Sequence, residues 1–551
     1  MASYDHPLRR LLERIPLPRV LHVHRLARQL ARLRRKGRTA ELLARFGHLW
    51  DHPVDGPHVS PYLADGLLQT AAPDLEKVRT LIASPCARTE FADYWYCRAR
   101  VHHRLGDHRE ALMAYARAIA EASLRPSILS LALPLAGSHA TEPAAATFLR
   151  EASRFPEARA FALFHLGVDA ELGVARPTHA VRRVLSAREV ASRGHGEWRP
   201  LGDPEAIRLA CFQPDGAPAP DRITMSYEPY VAELASATVV SGSSLVHVGA
   251  SAIVSDLLAD WELAKFVCLR GDPTVMALRA GGALVRRIEP TERIAEGVNL
   301  CGMSSSHFGH WFAEYLPRLR HFIRHPRFAE VPIIVDEGMP DSHYEFLRAL
   351  VPNRQHLLPR GASLLVDRLW VAPTINFFPP ALQSGHTVPP DRQAAWSVDA
   401  LRFFAERLRP GRTEPGPRRL FLSRRNSSWR RLANEAELVA ALAPLGFEVV
   451  CLEDLGFADQ VRTLGEAGFI IAPNGSALNN LIFTSPRTKI IVFGQRHFHN
   501  WGGWLGPFQD LGYQPVFVTG EPLQSAAEKH ADYVISVEEA IRTVHRLLTQ
   551  D

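Results

Sequence analysis

No stretch of this sequence approaches the roughly 18 consecutive apolar residues that a membrane-spanning helix needs. The first residues are interrupted by Arg9, Arg10, Glu13, Arg14 and Arg19, which leaves no apolar core for a secretory signal. Cysteine is scarce as well: Cys86, Cys97, Cys211, Cys268, Cys301 and Cys451 are scattered through 551 residues, and no two form a Cys-x-x-Cys pair. Thiols so placed give no disulfide framework and point to a reducing compartment. The expectation is a cytoplasmic chain, held at most peripherally on the inner face of the membrane.

What is present is ordinary globular material. Hydrophobic residues make up 46% of the chain and charged residues 22%, enough for several cores, and the length points to three or four domains. The net charge of +6 is carried by arginine, with a basic cluster at Arg25, Arg28, Arg32, Arg34, Arg35, Lys36 and Arg38. Residues 9–38 are therefore a candidate contact with an anionic membrane surface. The plainer reading is the solvated face of the first helices. No aromatic-interleaved basic patch accompanies the charge, so nucleic acid is not an expected partner.

Residues 1–200 read as helical, rich in leucine, alanine and arginine. Tyr94, Tyr96, Ala99, Leu105, Gly106, Ala111, Tyr115 and Ala118 follow the large–turn–small order of a tetratricopeptide-like helix pair, although a generic helical bundle explains them equally well. Such a domain is a candidate surface for a protein partner. Gly194 to Gly196, Pro200 and Pro214 to Pro220 mark a boundary near residue 200. Residues 201–408 alternate short strands (237–240, 244–248, 266–269, 331–335, 369–371) with helices (308–324, 341–351). A second linker runs from Arg409 to Pro417. Beyond it, residues 409–551 alternate strands (419–423, 447–452, 468–472, 489–493, 514–518) with helices (433–445, 457–467, 477–484) in the rhythm of a parallel doubly wound sheet. The fold class is α/β, two Rossmann-like halves behind an all-α domain, and a cleft between the halves is the natural ligand site.

Three constellations carry chemistry. His307, His310, Glu314 and Arg318 recur at spacings of three, four and four, which puts them on one stripe of a helix starting near Ser305 or Ser306. Pro317 makes the place of Arg318 the least secure. Imidazoles and a carboxylate on one stripe have acid–base character, against a plain reading as a solvated polar face. Arg424, Arg425, Arg430 and Arg431 follow a strand directly, where open α/β sheets bind ligands, and their planar forks suit phosphate oxygens; a surface loop is the plain alternative. Asn434 and Glu437 have the spacing of a capping box for the next helix. Finally, Asn474, Gly475, Ser476 and Ala477 turn from an apolar strand into a helix, a geometry that aims backbone N–H groups at an anion but is common in itself. His497 and His499 have no cysteine or carboxylate at ligand spacing. Trp501 and Trp504 read as core before they read as sugar-stacking platforms.

Together these stretches resemble glycosyltransferase family 61. The residues that carry the resemblance are His310-Trp311, Glu314, Leu316 to Leu319, Leu422 to Arg425, Arg430-Arg431, Asn434-Glu435, Gly446-Phe447, Glu453, Gln460, Asn474 to Asn480 and Phe483. They span about residues 205–525. Two positions depart from the family's pattern: Asn474-Gly475-Ser476-Ala477 stands where His-Gly-Ala-Gly is usual, and His307 where asparagine is frequent. The resemblance implies a two-lobed GT-B fold and an inverting glycosyltransferase that needs no metal or other cofactor. The donor is a nucleotide-sugar, and the acceptor is a glycan or lipid-linked glycan of a bacterial surface or capsular polysaccharide. It implies His310 or Glu314 as the base. Arg424, Arg425 and Arg430 would hold the diphosphate with the N–H groups of Gly475, Ser476 and Ala477. Glu453, Asn474 and Asn480 would contact sugar or nucleoside, and His307, Trp311 and Arg318 would serve the acceptor side or support the base. The absence of any Asp-x-Asp in residues 201–551 agrees, because leaving-group charge then falls to arginines and backbone N–H groups. The competing expectation is a non-catalytic scaffold whose helical repeats recruit partners and whose transferase half is degenerate.

Overall fold

A computed structural model describes residues 19–53, 55–70, 73–83, 92–120, 125–168, 178–210, 221–250, 252–265, 267–269, 271–323, 326–379, 394–409, 414–427, 430–495, 502–523 and 531–549. Arg9 to Arg14, Cys86, Cys211, Pro214 to Pro220, His497, His499 and Trp501 lie outside them. The chain divides into two compact units. One comprises Met1–Val181 with Met276–Arg279 and Leu284–Arg286; the other comprises Arg182–Val275, Ala280–Ala283 and Arg287–Asp551.

The first unit is helical from Arg19 to His165. Its central pair is Ala92–Leu105 and His108–Ala120, joined through Gly106, whose φ of 82° lies in the left-handed region that glycine enters at little cost. Tyr94, Tyr96 and Ala99 of one helix and Ala111, Tyr115 and Ala118 of the other are buried in one core; the alanines let the backbones approach. No helix among the described residues is long and apolar enough to cross a membrane.

Strand structure enters before the expected boundary near residue 200, with one short helix, Ala187–Ser192, still to follow. Strand β1 (His179–Leu185) is already extended, its alternation obscured in the sequence by Arg182 and Arg183. The Gly194–Pro200 stretch, expected as a linker, contains β2 (Gly196–Pro200), which pairs antiparallel with β5. A hairpin follows, β3 (Ala206–Leu209) and β4 (Arg222–Met225), then β5 (Tyr230–Val240), β6 (Val246–Val248) and β7 (Ala252–Val254). Strands β8 (Val275–Arg279) and β9 (Gly282–Arg286) carry most of their residues into the helical unit. Residues 267–269 form no strand. With β10 (Glu292–Asn299), β11 (Ile333–Asp336), β12 (Gln355–Leu358) and β13 (Ser363–Val371), the second unit builds a sheet ordered β12-β11-β10-β13-β5-β6-β7-β1. The pairings from β12 to β13 are parallel, and those from β13 through β7 are antiparallel. This half is mixed where a parallel sheet was expected.

The C-terminal sheet follows its expected rhythm. β14 (Arg418–Leu422), β15 (Phe447–Val450), β16 (Ala467–Pro473), β17 (Lys489–Gln495) and β18 (Pro515–Pro522) are parallel in the order β15-β14-β16-β17-β18, with β19 (Tyr533–Val534) antiparallel at the edge. Central β16 and β17 are buried along almost their whole length, as their unbroken apolar sequences require.

One hydrophobic core joins the elements of both sheets. Phe346, from helix Asp341–Leu350, stacks on Phe457 at 4.7 Å and meets Phe483 at 5.7 Å, while Phe312 meets Phe404 at 5.1 Å. The segment bearing His310 and the segment following the Asn474 turn are thereby packed in the same interior.

Candidate active site

The predicted helix near residue 310 begins at Phe308, with His307 as its N-cap. Pro317 has no N–H to continue the i→i−4 ladder, so the chain opens into a π turn over Trp311–Tyr315, where the Leu316 N–H reaches back to Trp311 O, and then tightens over Leu316–Arg318. His310 Nδ1 hydrogen-bonds Glu314 Oε1 across this bulge. Glu314 is only 7% exposed, and burial raises its carboxyl pKa against the opposing pull of His310 and Arg318. His310 keeps a side-chain exposure of 19%, so the pair has a buried carboxylate end and an open imidazole end. The His307 ring stands 5.2 Å from that of His310. Burial, His310 and Arg430 together depress the His307 pKa, which favours its neutral form.

The loop before this helix is fixed by Asp336, at the carboxyl end of β11. One of its oxygens accepts from Ser241 Oγ (3.1 Å) and Gly242 N (2.6 Å), the other from Gly302 N (2.8 Å) and Ser305 Oγ (2.7 Å). A side chain at Gly302 would overlap the Tyr315 hydroxyl, which accepts a hydrogen bond from Ser304 N at 3.2 Å.

Opposite lies the loop leaving β14. Ser423 Oγ and Arg424 N both bond the Glu435 carboxylate, which locks the loop's exit. Arg424 Nη2 donates to Ser427 Oγ at 2.7 Å. Its guanidinium lies against the Asn474 turn, where a Cβ added to Gly475 would fall 1.5 Å from Nη1, so a side chain there would displace the guanidinium. Arg430 adopts a φ of 52°, unusual for a residue with a side chain. Burial lowers the Arg424 pKa, and burial together with Arg424 brings that of Arg430 down to about 10. Gly309 closes the circle: a Cβ there would sit 3.2 Å from the His307 ring and 3.6 Å from Ser476 Cβ. His307, His310 and Glu314 therefore share one site with Arg424, Arg430, Gly475 and Ser476.

Residues 308–491 match the family model described as Glycosyltransferase 61, and that segment contains every member of the constellation except His307. The chain carries a glycosyltransferase 61 domain. The domain makes it a glycosyltransferase, and the family matched by that domain implies a nucleotide-sugar donor and a glycan acceptor. No curated protein matches the chain.

Not every residue expected in the glycosyltransferase site faces it. Trp311 is fully buried and stacks on His343 with the planes 4° apart, so it supports the helix and cannot reach an acceptor. Arg425 is exposed and bonds Asp454 at 2.8 Å, and Arg431 is tied to Asp532 through Nε and Nη2 at 3.1 and 2.8 Å. Asn480 is 4% exposed inside a 3-10 segment, Ser476–Phe483, where an α-helix was expected; two successive asparagines favour the tighter turns. Asn474 and Ala477 are half-buried at the turn, and Asn474 N donates to Phe493 O at 2.7 Å. Glu453 is exposed, accepts from Cys451 Sγ at 3.2 Å, and acts electrostatically on Arg424. Arg318 donates from Nε to Glu314 O at 3.1 Å, which keeps it on the His310 stripe. Asn434 makes no cap; its side chain clamps Ile535 through both the carbonyl oxygen and the N–H. Gln460 bonds Leu452 O and Leu455 O and is structural.

Sequence reasoning missed Asp336, Ser427, His343 and Phe378. Asp336 ends an apolar strand at its carboxyl edge, a signal that could have found it. Phe378, whose ring meets His310 edge-on at 5.2 Å, carried no signal.

Proposed function

We propose that this chain is an inverting, metal-independent glycosyltransferase of the two-lobed GT-B kind that builds a bacterial surface or capsular polysaccharide. The observation that carries this reading is the meeting of the His310–Glu314 pair with Arg424, Arg430 and the Gly475–Ser476 turn. Glu314 accepts from Nδ1–H of His310, which leaves Nε2 as the base and gives Glu314 an orienting role. Nε2 takes the acceptor hydroxyl proton as that oxygen attacks the anomeric carbon. The bond from anomeric carbon to phosphate oxygen breaks on the opposite face, and configuration inverts. Charge gathering on the departing diphosphate meets Arg424, Arg430 and the N–H groups of Ser476 and Ala477, donors fixed before the reaction begins. Two guanidinium groups supply the positive charge that a divalent cation would otherwise bring.

The same reading makes residues 409–551 the donor lobe and the preceding α/β portion the acceptor lobe. The helical unit becomes a tetratricopeptide-like surface for a protein partner, and its basic first residues a peripheral membrane contact.

The test is turnover of a nucleotide-sugar panel by the full chain with excess EDTA, with product configuration read by NMR. Nucleotide release in EDTA with an inverted product is expected, and His310→Ala should abolish it. Loss of turnover in EDTA with recovery on adding Mg²⁺ would overturn metal independence. Failure to bind any nucleotide would favour the scaffold reading.

A further inference from the structure

A cavity of about 90 Å³ reaches the His310–Glu314 pair. Glu314 lines it, as does Phe378, whose ring stands against His310. A single water needs only about 10–15 Å³ on this scale, whereas a pocket for a drug-sized ligand runs to about 300 Å³ or more. The cavity is therefore large enough for a sugar substituent and too small for a nucleoside.

Its polar wall is unevenly matched. The two carboxylates are already engaged: Glu314 with His310, and Asp256 with the Tyr230 hydroxyl and with Ala187 N at 3.3 Å. Burial raises the pKa of both, and Arg318 acts on each of them in the opposite direction. Arg318 is the only cationic side chain of the lining. Its Nε is bound to Glu314 O, and its guanidinium carbon lies 4.9 Å from the Tyr315 ring centroid, so the plane of the fork is set from two sides. Among the described residues no carboxylate comes within 4 Å of it. Asn299 adds a second donor: its Oδ1 accepts from Cys301 N at 3.0 Å, and its amide NH₂ has no hydrogen bond to the described residues.

We propose that this cavity receives the carboxylate of an acidic sugar, a uronic-acid residue of the acceptor, and that Arg318 determines this specificity. A held guanidinium fork matches two carboxylate oxygens at once, whereas a neutral hydroxyl would meet it with one weaker hydrogen bond. A phosphorylated sugar shares the anionic chemistry, but its tetrahedral, bulkier group suits a cavity of this size less well. The proposal rests on His310 being the base, since the carboxylate would anchor the sugar whose hydroxyl meets Nε2.

The test uses the full chain without nucleotide. Methyl β-D-glucuronide, methyl β-D-glucoside and glucose 6-phosphate are titrated separately by ligand-observed NMR. The glucuronide is expected to bind at least about tenfold more tightly than the glucoside, Arg318→Gln to bring the two within about twofold, and Arg318→Lys to fall between. Nucleotide affinity should be unchanged in both variants. Equal binding of glucuronide and glucoside by the parent, a preference that survives Arg318→Gln, or tighter binding of glucose 6-phosphate would each overturn the proposal. Because glucuronide binding is read without nucleotide, an error in the donor assignment would show separately, as a parent protein that binds the glucuronide but no nucleotide.

Discussion

In the helical unit Arg34 lies 3.0 Å from Asp93 and 3.9 Å from Asp65, and Arg100 lies 3.2 Å from the same Asp65. Burial works against the Arg34 charge, yet Cys97, Asp93 and Asp65 together hold its pKa above the ordinary value. At the Asn474 turn two cations are neighbours, although Glu453 and Glu435 act on one of them, Arg424. Arg424 and Arg430 are set close enough to repel each other, and burial followed by that repulsion lowers the Arg430 pKa to about 10. A cation serving the fold is neutralised by carboxylates of the chain. On the proposed reading, the like charges held together raise the free energy of this site, and a diphosphate would relieve them. The second arrangement is expected of a binding site, the first of a core.

The largest effect that could break this comparison is in the helical unit. Arg34→Ala leaves the buried Asp93 without its nearest cation, while Arg100 still faces Asp65, and should destabilise that unit by about 3 kcal/mol in urea unfolding, with nucleotide affinity of the folded protein unchanged. A loss below about 1 kcal/mol would remove the structural half of the contrast. Next is Arg424→Ala. Nucleoside diphosphate affinity should fall about 100-fold, close to 3 kcal/mol. Arg425→Ala, at an exposed side chain paired with Asp454, should change affinity no more than about threefold when both variants are titrated with a nucleoside diphosphate by isothermal calorimetry. Equal losses at the two positions would show that burial does not sort these arginines.

A smaller effect sharpens the account of the helix side. Burial brings the His343 pKa down to about 4 from 6.5, against the opposing bond to Ser305 O. Between those values the unfolded chain binds more protons than the folded one. Stability from this group is therefore full above pH 6.5 and declines as pH falls toward 4, by about 2 kcal/mol at pH 5. His165 and His247, at about 4, and His321, at about 3, add to the same acid loss. His343→Phe keeps a ring against Trp311 and should narrow the stability difference between pH 8 and pH 5 by that amount. An unchanged difference would contradict the assignment.

The sequence made the C-terminal sheet legible because each strand there is a compact apolar run between turn residues, as in Phe469 to Pro473. The other sheet was harder to read. β5 mixes Glu233, Ser236 and alanines into eleven residues, and only its last four look like a strand. The site divides similarly. Spacing placed His310, Glu314 and Arg318 on one stripe, and the π turn at Pro317 preserved that relation. Spacing alone could not separate Arg424 from Arg425, because the difference lies in which side chain meets Gly475 and which meets Asp454. Nor could it show that Trp311 faces inward, since an amphipathic stripe does not say which flank is covered.

The most direct measurement is a crystal structure of the full chain with its nucleotide bound. The account predicts diphosphate oxygens within hydrogen-bond distance of Arg424, Arg430 and the Ser476 N–H, with His310 Nε2 facing the sugar end across the cleft. A diphosphate held elsewhere, with the Arg424–Gly475 contact undisturbed and His310 remote from the ligand, would contradict it.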